Sequence, residues 1–229
     1  MPKETVFPTK TEGIIGICYA LFCAVLLPWI LNFIFSVVGL SLSSSILNLL
    51  YFVVNFLVVV ICFRKFLLKT GKAFLDHTQW TLLIAVLGFV VYTIASQGIG
   101  RLILWLKPDF YNLNDQGIAA LAGNYYIPTL ICTVFLVPLT EECLYRGAIF
   151  GTLLQKNAIA AYAISAIVFS LVHIDGLIGV ADWPVLGLSF LQYLPAGLCL
   201  AAAYHLSGSI VAPILIHMAV NAIGIFALR

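Results

Sequence analysis

Charge is what this sequence has least of. Only 9% of its 229 residues are Asp, Glu, Lys or Arg, against 63% hydrophobic, and the mean hydropathy is +1.12. Soluble domains carry about 25% charged and about 45–50% apolar residues. A chain of this size cannot hide so much apolar surface in a core of its own, so lipid must be the solvent for part of it. Eleven Lys/Arg face nine Asp/Glu, a net charge of +2, which leaves no broad basic face for nucleic acid. The six cysteines (Cys18, Cys23, Cys62, Cys132, Cys143, Cys199) form no CxxC pair. Each lies in or beside an apolar run and reads as a packing residue. There is no HExxH motif, no low-complexity tract and no internal repeat of the kind that builds many transporters.

What is present is a series of long apolar runs. After Glu12 no charge occurs until Arg64, a gap of 51 residues. One crossing helix needs about 20 apolar residues, so the gap holds two, separated by Gly39-Leu-Ser-Leu-Ser-Ser-Ser45. The expected spans are 13–38 with a kink at Pro28, 46–63, 80–106 bracketed by Trp80 and Trp105, 125–154, 158–173, 185–206 and 209–228. The first run is too long for a signal-peptide core and no small-x-small cleavage site follows it, so it is expected to stay. The reading is an all-α polytopic transmembrane bundle of about seven spans, six to eight being the range. Residues 64–77 read as a basic loop, 107–124 as the most soluble-looking stretch, and 174–184 as a loop or re-entrant turn. Lys3 and Lys10 before the first span, and Arg64, Lys65, Lys69 and Lys72 after the second, place the N-terminus in the cytoplasm. Seven spans then put Arg229 outside.

Charges within membrane segments are costly and read by default as functional. Glu141, Glu142 and Arg146 fall in one such stretch. Glu142 and Arg146 are four apart and share a helix face, where they can pair. Glu141 is turned about 100° away and is left free to act as a general base. Phe169-Ser-Leu-Val-His173 closes the fifth expected span, and His217-Met-Ala-Val-Asn221 lies within the seventh. Each has a plainer reading: Glu142–Arg146 as a structural ion pair, His173 as an interfacial side chain, His217 and Asn221 as interhelical glue. Together they can surround one polar pocket with Glu141, His173, His217 and Asn221.

In this order, EExxxR, FxxxH and HxxxN resemble the motifs of the CPBP family of intramembrane proteases. That family includes the type II CAAX prenyl endopeptidases and the bacteriocin-processing or bacteriocin-immunity Abi proteins. The resemblance covers about residues 124–226, so the chain divides into N-terminal helices of unknown role (1–123) and a protease-like core (124–229). It implies hydrolysis of a peptide bond in a membrane-associated peptide or membrane-anchored protein, by a water that Glu141 activates with His173. His217 and Asn221 would hold the oxyanion, while Glu142, Arg146 and Phe169 support the geometry. No cofactor is needed on this reading. The alternative is a zinc site with Glu141, His173 and His217 as ligands and a fourth position for water. A non-proteolytic membrane scaffold or immunity protein, and a proton-coupled transporter, are the competing functions. The look of the Abi subgroup implies a bacterial plasma membrane.

Overall fold

The computed structural model describes residues 4–228, and the regular structure among them is helical. Lys3 and Arg229, both used in the topology argument, lie outside the described residues. Helix α1 (Lys10–Val25) opens with a capping box: Glu12 N–H donates to Thr9 Oγ1 (3.2 Å) and Thr9 N–H to Glu12 Oε2 (2.9 Å). α2 (Leu27–Val37) follows with an axis bent by 58°. Pro28 sits in its first turn, where a missing N–H breaks no helical bond. α3 (Ser44–Cys62) is capped by Ser43, whose hydroxyl accepts from Ile46 N–H at 3.4 Å.

Residues 64–76, expected as loop, form a helix instead: α4 (Arg64–Asp76). It buries Phe66 and Thr70 and exposes Leu68 and Leu75 beside its lysines. Its start is tied down by Glu12, whose Oε1 accepts from Phe66 N–H at 2.9 Å. α5 (Thr78–Leu106) leads to α6 (Leu113–Asn124), capped by Asn112, and then to α7 (Tyr126–Leu154). α8 (Ala158–Val172) is capped by Asn157, and a short 3₁₀ turn at Asp175–Leu177 follows. α9 (Trp183–Ser207) ends at Gly208, whose φ of +73° turns the chain into α10 (Val211–Phe226).

The expected apolar segments are helical, but the count of six to eight spans is overturned. Among the described residues, four helices are long and apolar enough to cross a membrane: α3, α5, α7 and α9. The bent pair α1–α2 makes a fifth if it acts as one span. α8 and α10 have only 15 and 16 residues. At 1.5 Å per residue they reach about 22–24 Å, short of a hydrocarbon core of about 30 Å. The sequence pattern registered their apolarity, which does not separate a crossing helix from one held inside a bundle.

α7 is the central element. Half of its most apolar window is buried, against 11% for α3 and for α5, whose outer faces are left for lipid. α1, α3, α8, α9 and α10 pack around it. α8 and α9 touch backbone to backbone, since a Cβ on Gly197 would fall 2.6 Å from Ala166 Cα. That close approach carries the start of α9 up to the end of α8, where the polar side chains gather.

Candidate active site

The polar residues of α7 lie on a helix that is locally unwound. Its hydrogen bonding switches to the wider π pattern at Cys132–Leu136 and again at Glu142–Phe150. π-turns inside α-helices are frequent at functional sites. In the first of them Val137 N–H bonds Cys132 O. The same register would next use the N–H of residue 138, but Pro138 has none. The Thr133 carbonyl is thus left for a side chain, and Asn221 Nδ2 on α10 donates to it at 2.7 Å.

One turn deeper lies a fully buried ion cluster. Glu142 and Arg146 are both 0% exposed and pair through Oε1 and Nη1 at 3.1 Å. His217 Nδ1, on α10, donates to the same Oε1 at 2.9 Å; a carboxylate only accepts, so the imidazole proton is on Nδ1. Arg146 Nη2 donates to Ala196 O of α9 at 3.3 Å, and its guanidinium lies 4.1 Å from the centre of the Phe169 ring. One acid is therefore shared by two cationic or cation-capable partners from two helices, an arrangement that holds α7, α9 and α10 together.

Glu141 faces a different, shallower place. Its Oε2 lies 4.0 Å from His173 Nε2 and has no hydrogen-bond partner among the described residues. The two side chains keep 22% and 16% of their surface exposed, unlike the deep pair. His173 caps the C-terminus of α8, and its Nδ1 donates to Phe169 O at 2.7 Å. In the neutral ring Nε2 then carries the lone pair, and it is Nε2 that faces Glu141. The Phe169 ring lies 4.4 Å from the His173 ring, so one phenylalanine touches both Arg146 and His173 and joins the two clusters.

Outside the spans, Asp115 and Asp175 lie within electrostatic reach of His173. Withdrawal from water raises both carboxyls above their ordinary range, more than His173 or their hydrogen bonds lower them. The residues do not fit the zinc set weighed from the sequence. His217 is engaged by Glu142 and not by Glu141, and among the described residues no three His, Cys, Asp or Glu are placed to hold a metal ion.

Glu141 of α7 thus faces His173 of α8, while His217 and Asn221 of α10 meet α7 at Glu142 and at the Thr133 carbonyl, and Phe169 lies between Arg146 and His173. Two features have no counterpart in the sequence reading. Tyr193 on α9 lies with its ring 4.3 Å from that of His173. Asn112 and Asn114, at the start of α6, both donate to its hydroxyl at 3.0 Å. A tyrosine in an apolar run reads as packing, and an asparagine in a polar stretch attracts no notice.

Comparison with known proteins falls on the same part of the chain. Residues 123–223, the region that holds all seven residues, match the family model described as type II CAAX prenyl endopeptidase Rce1-like. The chain is 27% identical over 184 residues to the protein named "Putative membrane peptidase YdiL" of Bacillus subtilis (strain 168), covering 78% of this chain and 70% of that one. It is also 27% identical over 150 residues to "UPF0177 protein YxdF" of Lactococcus lactis subsp. lactis (strain IL1403), covering 63% of this chain and 76% of that one. No solved structure matches. The family match and the Bacillus relative support CPBP-superfamily membership for the C-terminal half, and both relatives are bacterial. The long apolar helices make the chain an integral membrane protein.

Proposed function

We propose that this protein is an intramembrane endopeptidase that cleaves a membrane-associated peptide or protein with a water activated by Glu141. One observation carries the reading: Glu141 Oε2 has no hydrogen-bond partner among the described residues and stands 4.0 Å from the lone-pair nitrogen of His173. A single water at about 2.8 Å from each atom donates one O–H to Glu141 and the other to His173 Nε2. Its lone pairs then point away from both, toward an entering carbonyl carbon. Glu141 takes the proton as the new C–O bond forms, and returns it to the amine nitrogen as the C–N bond breaks.

The oxyanion needs donors on its far side. Asn221 has one amide proton committed to Thr133 O and a second to offer. His217, whose Nδ1 is engaged by Glu142 Oε1, can add a second donor through Nε2 in its doubly protonated form. Such donors contribute about 3–4 kcal/mol in a well-studied protease. Each step uses a side chain of this protein, with no metal among the reacting groups. The bacterial relatives and the basic residues Lys10, Arg64, Lys65, Lys69 and Lys72 support a bacterial plasma membrane with the N-terminus in the cytoplasm.

The test is cleavage of a fluorogenic peptide panel, prenylated peptides included, by purified protein in nanodiscs with and without a strong chelator. The expected result is cleavage that the chelator leaves unchanged and Glu141→Gln removes. Activity lost to the chelator and restored by zinc would overturn the mechanism.

A further inference from the structure

We propose that Tyr193 is the positioning residue for His173, and that Asn112 and Asn114 form the clamp that sets its angle. The catalytic part of this inference rests on the protease reading above. His173 stands at the very end of α8, ahead of an irregular segment, and among the described residues one side-chain hydrogen bond, to Phe169 O, anchors it. One such bond leaves the imidazole free to pivot about it. Two rings remove that freedom: Phe169 at 4.4 Å with planes inclined by 46°, and Tyr193 at 4.3 Å inclined by 31°.

Phe169 is itself buried under Arg146, but Tyr193 is held only in part by packing. Its hydroxyl accepts from Asn112 Nδ2 and Asn114 Nδ2, each at 3.0 Å, and donates to Asp115 Oδ1 at 3.4 Å. That uses the donor and both acceptor sites of a phenol. Asn112 Nδ2 also donates to Gln192 Oε1 at 3.0 Å, while Asn112 Oδ1 caps α6 by accepting from Asn114 and Asp115 N–H. The start of α6 is therefore latched to the first half of α9 through the ring that rests on His173. A phenylalanine would fill the same space; the hydroxyl adds a fixed orientation. Since a displacement of about 1 Å in a reacting group can cost about 10²-fold in rate, that orientation matters to the water held between His173 and Glu141.

The experiment uses the full chain in nanodiscs, with histidine carrying ¹³C and ¹⁵N labels, in wild type, Tyr193→Phe, Tyr193→Leu and Asn114→Ala. Loss of one signal set in His173→Gln identifies His173. The ring of Tyr193 shifts the His173 ring protons. Tyr193→Leu is expected to move those signals, and Tyr193→Phe and Asn114→Ala to broaden or move them less. In the cleavage assay kcat should fall about 10²-fold in Tyr193→Leu and about tenfold in Tyr193→Phe, with KM unchanged. Asn114→Ala should add no further loss in the Tyr193→Phe background, because both act through one hydroxyl. If the leucine variant does not fold, the phenylalanine variant carries the test. His173 signals that stay in place, an unchanged kcat, or a rise in KM alone would overturn the proposal; the last would put Tyr193 on the substrate instead. Should wild type cleave no peptide, the protease reading falls, and the His173 signals still decide whether Tyr193 holds the ring.

Discussion

Glu141 and Glu142 are neighbours in sequence, yet they inhabit different chemical worlds. Glu142 is fully buried, bonded to Arg146 and His217, and linked through Arg146 to the Ala196 carbonyl. Glu141 keeps part of its surface, has no hydrogen bond on Oε2 among the described residues, and faces a histidine 4.0 Å away. Three helices meet at the first carboxylate and its arginine, whereas no hydrogen bond among the described residues reaches Oε2 of the second. Both carboxylates leave Oε2 without a hydrogen-bond partner among the described residues, but Oε1 of Glu142 is engaged by two helices, and on the proposed reading this leaves Glu141 as the acid free to react.

The largest effect that would sharpen this contrast is on rate. Glu141→Gln should lower cleavage about 10²–10⁴-fold, the usual contribution of a general base, with Tm unchanged in a thermal scan. Arg146→Ala should do the reverse, lowering stability by about 3–5 kcal/mol because a buried charge on Glu142 loses its partner. Reduced yield and a lower Tm in detergent would report it, whereas normal expression and activity would dissolve the contrast. Asn221→Ala belongs to both halves. It should reduce kcat about 10²-fold as an oxyanion donor, and cost about 1–3 kcal/mol by stranding the Thr133 carbonyl. The smallest effect expected is that of Gly197→Ala, about 1–3 kcal/mol from overpacking against the Ala166 backbone. If α9 shifts to make room, activity falls with stability as Tyr193 moves off His173.

Much of the helix pattern was legible because a charge-free run of 51 residues has few other uses. The span count was not, since the 15- and 16-residue helices α8 and α10 are as apolar as crossing helices and only their length tells them apart. α4 escaped notice because four basic residues in thirteen look like loop until Phe66 and Thr70 are seen buried beneath them. The Glu142–Arg146 pair could be read from spacing on one helix. That His217 reaches Glu142, and that Asn221 serves a carbonyl freed by Pro138, depends on how α10 lies against α7. Tyr193 was silent for the same reason, because its partners are about 80 residues away.

The central claim is that Glu141, and not Glu142, is the reactive carboxylate. The most direct measurement is cleavage of the peptide panel by wild type and Glu141→Gln in nanodiscs, with Tm recorded on the same samples. The account predicts cleavage by wild type, its loss in the variant, and equal Tm values. A Glu141→Gln protein that cleaves at the wild-type rate would contradict it.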